Sequence, residues 1–255
     1  LTGFVIILVL YSGAAGFYTA EIVDFAPEFT QQGEQGLQQG DLIWSIDGER
    51  VYLYSALNLL FSLNHTGVFD LVVIRDGEKV TLEDFSMPLQ EYTAVDGEST
   101  YTGYGLYFGN VEEATLGAKL KTSWLNTVDF IRVVRLSLQM LVTGQAGMDD
   151  LSGPVGIVST ISQVGAESES LRDAVENIFY FAAMLAVNLA VMNMLPLPAL
   201  DGGRILFLLV DAVSLALFRR RVPTKYQAAV NTVGFIALMA FMLVVTFNDV
   251  FKLVQ

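Results

Sequence analysis

The chain has 255 residues, 53% of them hydrophobic, with a mean hydropathy of +0.50. Such hydropathy points to a membrane protein, while 27 acidic against 14 basic residues, a net charge of −13, argues against nucleic acid as a partner. Cysteine is absent, so thiolate metal ligands are excluded.

Leu1 to Leu10 is an apolar run that continues through Tyr11-Ser-Gly-Ala-Ala-Gly to Phe17. No basic segment precedes it, as a signal peptide would require. Residues 1–18 are expected to be the end of a transmembrane helix that starts before Leu1.

Between Thr19 and Lys121 there are 17 acidic and 5 basic residues, which predicts a water-facing domain that does not dock on anionic headgroups. Glu21–Phe25 alternates like a strand. Gly36-Leu37-Gln-Gln-Gly40-Asp41-Leu42-Ile43-Trp44-Ser-Ile46-Asp47-Gly48 combines glycine turns with an apolar strand. Tyr54–Leu63 suits a short helix, and Asp76-Gly77 between Phe69–Ile74 and Lys79–Leu82 signals a hairpin with a type I′ turn. This stretch resembles the GLxxGDxIxxIDG signature of bacterial PDZ domains associated with proteases. The resemblance implies a PDZ domain over residues 19–88, in which an added peptide strand pairs with an exposed edge. Gly36, Leu37 and Gly40 are expected in the loop that turns around the peptide's end. His65, just past the short helix, reads as a surface loop residue.

Residues 89–115 read as a linker or β segment, with a strand over Tyr101–Phe108; no function is assigned to them. From Leu116 to Val142, Leu120, Trp124, Val128, Ile131, Val134, Leu138 and Leu141 follow at steps of three or four. Lys121, Asp129, Arg132 and Arg135 make a spanning helix costly. Residues 116–143 are therefore expected to form an amphipathic helix in the membrane interface, with Trp124 near the headgroups; a soluble core helix is the alternative. Residues 144–177 read as a Gly-rich loop region containing Leu151-Ser-Gly153-Pro154-Val-Gly156-Ile157.

Ile178 to Leu200 carries no charge over 23 residues, about the thickness of a bilayer's hydrocarbon core when helical. It ends in Asn193-Met-Leu-Pro196-Leu-Pro198-Ala-Leu-Asp201-Gly202-Gly203. Two prolines break a helix, and irregular backbone at membrane depth needs protein or a water-filled cavity around it. An ionisable residue at such a break is a functional candidate. Residues 178–218 are expected to form one Pro-broken transmembrane helix. Within it, Arg204 and Asp211 share a face about 10 Å apart.

These residues match the NxxPxPxLDG motif of the site-2 proteases, zinc metalloproteases that cut inside membranes, at Asn193, Pro196, Pro198, Leu200, Asp201 and Gly202. The Ser152–Ile157 stretch resembles the SGPVGI loop of the same family. The resemblance implies that Asp201 is a ligand of Zn2+ and that Asn193, with Pro196 and Pro198, lies at the substrate cleft. A second reading makes Asp201 the N-cap of the following helix. Such proteases also need His-Glu-x-x-His, with two histidines as ligands and the Glu as general base. This chain has one histidine and no such motif. It is expected to be either a piece lacking the upstream helix or a pseudoenzyme.

Arg219-Arg220-Arg221 and Lys225 mark residues 219–227 as a cytoplasmic loop, and Ala228–Phe247 is a 20-residue uncharged span. Parity then puts the acidic domain outside the cell and Asp201 toward the cytoplasmic side. The expected fold is a multi-pass α-helical membrane protein with an inserted β-rich (α+β) PDZ domain, in a bacterial inner membrane. The expected function is intramembrane proteolysis of membrane-protein substrates such as anti-sigma factors or remnant signal peptides. A membrane-anchored PDZ adaptor without catalysis is the alternative. A transporter half would show an inverted repeat, and the chain holds no second Pro-interrupted span.

Overall fold

A computed structural model of the chain describes residues 1–93, 100–144, 147, 153–168, 170–219 and 223–254. They fall into two units, Tyr11–Asp129 and Leu1–Leu10 with Phe130–Gln255. Residues 94–99, within the segment 89–115, and Leu151, Ser152, Arg220 and Arg221, named above, lie outside the described residues.

The first unit is β-rich. Its centre is an antiparallel sheet in the order β4 (Glu49–Arg50), β3 (Leu42–Ile46), β5 (Val68–Arg75), β6 (Glu78–Ser86). Alternation along β5 follows from the pleat: Phe69, Leu71 and Val73 are fully buried while Val68 and Asp70 are exposed. The β5–β6 turn has Asp76 at φ 51° and Gly77 at φ 85°, the left-handed pair that a two-residue hairpin needs. The short helix α2 (Leu57–Ser62) buries Leu57, Leu60 and Phe61.

Three further strand pairs complete the unit, two of them between strands distant in sequence. β1 (Gly16–Tyr18) pairs with β10 (Val111–Glu113), β2 (Ile22–Phe25) with β9 (Leu106–Phe108), and β7 (Gln90–Thr93) with β8 (Thr100–Gly103). This corrects the expectation for residues 1–18. The helix α1 (Thr2–Tyr11) stops at Tyr11, and Gly16–Tyr18 is a strand. The cause is long-range: a Cβ on Gly16 would collide with the Val111 side chain, so glycine allows β10 to close on this strand. The segment 89–115 likewise holds four strands, with Tyr104 and Gly105 (φ 71°) separating β8 from β9.

The second unit is helical. The helix α3 (Leu116–Thr143) crosses the division between units. Its apolar stripe faces outward at Leu120, Trp124, Ile131 and Leu141, whereas Ser123, Asn126 and Arg132 are buried. Beyond it come α4 (Pro154–Ala166), α5 (Leu171–Met194), α6 (Asp201–Phe218) and α7 (Thr224–Val254). The helix α4 corrects the expectation of a loop over 144–177. Pro154 occupies its first turn, where a missing N–H costs nothing. Asp249 on α7 holds its start: one carboxylate oxygen accepts from the Gly153 and Gly156 amides at 2.9 Å each. Asp249 is buried, and a Cβ on Gly153 would come within 2.8 Å of that oxygen.

The start of α1 packs on α5, where a Cβ on Gly3 would lie 2.6 Å from Val187 and 2.9 Å from the Ala183 carbonyl. The helices Leu171–Met194 and Thr224–Lys252 are long and apolar enough to cross a membrane. Their neighbour α6 exposes Leu208 and Leu217 at 70% and 71% of their surface. An apolar exterior of this kind is suited to lipid and costly in water.

Candidate active site

The helix α5 ends at Met194, and α6 begins at Asp201. Pro196 and Pro198 have no N–H to continue a helix. Among residues 195–200 the four remaining amides are all satisfied. The Leu195, Leu197 and Leu200 amides donate to carbonyls of Met192, Leu195 and Leu197, at 3.1, 2.7 and 3.3 Å. The Ala199 amide donates outside the segment, to Oδ1 of Asn231 on α7, at 3.2 Å. Ala199 has φ 73°, a left-handed conformation that a Cβ disfavours.

The two glycines after Asp201 are a packing requirement. A Cβ on Gly202 would strike the carbonyls of Met194 and Leu195, and one on Gly203 the carbonyl of Leu197. The first turn of α6 is therefore folded back on the break. On the other side, Gly234 of α7 accommodates Pro198, which a Cβ there would strike.

Asp201 does not serve as the N-cap. Leu200 occupies that position, without a side-chain hydrogen bond, and Asp201 is the first helical residue. Its side chain is exposed and has no hydrogen bond or ion pair among the described residues. The half-buried Asn193, in the last turn of α5, likewise has a side-chain amide without a hydrogen bond among those residues. Pro196 is exposed and Pro198 half-buried. The break thus presents a carboxylate and an amide without hydrogen-bond partners among the described residues.

Asp201 has the chemistry of one zinc ligand: a carboxylate, accessible and with no donor among the described residues. The described residues gather no group of three His, Cys, Asp or Glu side chains. Asp201 alone does not make a zinc site among the described residues.

Gly36, Leu37 and Gly40 present a contrast. Leu37 and Asp41 are buried, and Gly40 turns the chain at φ 92°. Arg75 donates to both Asp41 carboxylate oxygens, at 2.8 and 2.7 Å, and to the Gly36 carbonyl at 2.7 Å. The Gln38 amide also donates to Asp41, at 2.8 Å. The hydrogen bond to Asp41 holds the Arg75 guanidinium above its ordinary pKa. The turn is closed around the domain's own ion pair.

An open edge lies elsewhere. The strand β9 pairs with β2 on one side, and among the described residues no strand pairs with its other side. Rings link this region to α2 and the turn before it: the Tyr104 ring lies 4.9 Å from that of Phe61 in α2 and its hydroxyl donates to the Phe61 carbonyl, and the Phe108 ring lies 5.8 Å from that of Tyr54, three residues before α2. A cavity of about 550 Å³ is lined by Asn58, Phe61, Asn64, Pro88, Leu89 and Tyr104, the last of which stands two residues before β9. Sequence reasoning assigned nothing to this segment. The aromatic and glycine alternation of Tyr101–Phe108 was the available signal, but it does not say which edge stays open. His65 is exposed, as a surface loop residue is.

Residues 1–241 match the model of peptidase family M50. The regulator of sigma-W protease RasP of Bacillus subtilis is 36% identical over 220 residues, which cover 86% of this chain and 48% of the relative. Zinc metalloprotease RasP of Oceanobacillus iheyensis is 33% identical over 237 residues, covering 92% of this chain and 52% of the relative. Zinc metalloprotease RasP of Geobacillus kaustophilus is 34% identical over 228 residues, covering 88% and 50%. The chain spans about half the length of these relatives. It belongs to peptidase family M50, the zinc-dependent site-2 proteases.

Proposed function

We propose that this chain supplies the Asp201 ligand and the substrate-holding break of an intramembrane zinc protease. The observation that carries the reading is the exposed Asp201 carboxylate at an interrupted helix, with the Asn193 amide across the break, neither with a hydrogen-bond partner among the described residues. A zinc ion bound there would supply a water that loses its proton near neutral pH and would polarise the scissile carbonyl. Two histidines and a glutamate from outside these 255 residues complete the centre. Asn193 and the proline-broken backbone hold an unwound segment of the substrate, because a helical peptide bond is shielded. The substrates are transmembrane segments of membrane proteins, such as anti-sigma factors or remnant signal peptides.

We assign the β-rich unit as a PDZ domain that screens substrates. Its peptide edge is β9 beside α2, with main-chain pairing for affinity and the adjoining cavity for a side chain. The Gly36–Gly40 turn supports the fold of that domain rather than the peptide. The alternative, an adaptor without catalysis, predicts no zinc and no cleavage.

The test is a split between two variants of the protein expressed from its native gene. Asp201→Asn lowers cleavage more than about a hundredfold, since even removing a partner of a ligand costs 10–100-fold. Asn193→Ala lowers turnover with zinc content kept. Full cleavage by Asp201→Asn would sink the reading. For topology, the cysteine-free chain allows single labels. A cysteine at the exposed Glu78 reacts with an impermeant thiol reagent added to spheroplasts, and one at Thr224 does not; the reverse pattern refutes the proposed orientation.

A further inference from the structure

We infer that Asn231, on α7, is a positioning residue for Asp201. The inference rests on the reading of Asp201 as a metal ligand. Its basis is the accounting of the break. Of the four amides in residues 195–200, three are satisfied by neighbouring carbonyls within the same turn. Only the Ala199 amide is satisfied from another helix, by Asn231 Oδ1 at 3.2 Å. Ala199 is also the residue held at φ 73°, a conformation that alanine does not keep without a constraint.

Ala199 stands two residues before Asp201, so its backbone angle sets the direction in which α6 starts. Gly202 and Gly203 then lock that start against Met194, Leu195 and Leu197. These contacts hold the first turn of α6 against the break, and the Asn231 side chain holds the one amide that the break itself does not satisfy. Gly234, almost one turn after Asn231 on α7, supports the same arrangement by letting Pro198 seat against that helix. In an apolar surrounding an unpaired amide is costly, so loss of the Asn231 acceptor drives Ala199 out of the left-handed region. The Asp201 carboxylate then moves away from its ligand direction. Asn231 touches neither metal nor substrate in this account; it acts through Ala199.

The experiment measures zinc affinity by competition with a chelator, together with cleavage and thermal unfolding, in the protein expressed from its native gene. Asn231→Leu lowers zinc affinity about tenfold or more, the usual loss when a group orienting a ligand is removed. Asn231→Asp keeps an accepting oxygen and restores most of that affinity. Gly234→Ala, which leaves Asn231 in place but pushes Pro198 away, reproduces the loss. Unchanged zinc affinity in both Asn231→Leu and Gly234→Ala overturns the proposal, as does an Asn231→Asp protein as impaired as Asn231→Leu. Asp201→Asn is the control that separates the two claims. If Asp201→Asn also binds zinc normally, the ligand reading itself has failed. If only Asp201→Asn loses zinc, the tether alone has failed.

Discussion

Two Asp-Gly-rich segments of this chain carry motif matches, and the structure treats their carboxylates in opposite ways. Asp41, after the Gly36–Gly40 turn, is buried and takes two hydrogen bonds from Arg75 and one from the Gln38 amide. Asp201, after the Pro196–Pro198 break, is exposed and has no hydrogen bond or ion pair among the described residues. A carboxylate whose lone pairs are filled by its own domain holds a fold together. One that the protein leaves unfilled, at the end of an apolar helix, is available to something else. The motif matches single out Asp201 as a candidate ligand but leave the role of Asp41 unread, because its partner Arg75 lies 34 residues away.

The comparison breaks most visibly through stability. Asp41→Ala leaves the half-buried Arg75 guanidinium and the Gln38 amide without their carboxylate, and chemical unfolding followed by tryptophan fluorescence should report a loss of about 3 kcal/mol. An unchanged unfolding midpoint would mean that the turn is not built on this pair. A smaller effect is expected at a third carboxylate, Asp249. Its replacement by Ala leaves the Gly153 and Gly156 amides without their acceptor, which costs about 2 kcal/mol. Hydrogen exchange should rise in the first turns of α4 and leave β5 untouched. Exchange rising equally in both would show that Asp249 supports more than the helix it caps. At the small end, with zinc stripped from both proteins by a chelator, Asp201→Asn should shift the unfolding midpoint little, since among the described residues the carboxylate has no hydrogen-bond or ion-pair partner to lose.

What the sequence makes legible is local. Pro196 and Pro198 announce the end of α5, steps of three and four from Leu120 to Leu141 announce α3, and Asp76-Gly77 announces the β5–β6 hairpin. Each signal lies within the element that it describes. The features that escape are made by partners distant along the chain. Gly16–Tyr18 looks like the end of an apolar helix and becomes a strand because Val111–Glu113 pairs with it. Pro154 reads as a loop residue and starts a helix because Asp249 accepts its first amides. The same holds for the site. Asp201 and Asn193 stand in a motif, whereas Asn231 is an unremarked polar residue in an apolar span. Only the hydrogen bond to Ala199 gives it a role. The open edge of β9 is a property of which strands do not pair, and no window of sequence contains that.

The central claim is that Asp201 is kept free for metal while Asp41 is consumed by structure. Metal analysis of three proteins expressed from the native gene tests it most directly: the natural chain, Asp41→Asn and Asp201→Asn, each purified as folded material without added zinc. The account predicts stoichiometric zinc in the natural protein and in Asp41→Asn, and a large loss in Asp201→Asn. Stoichiometric zinc retained by Asp201→Asn would contradict it.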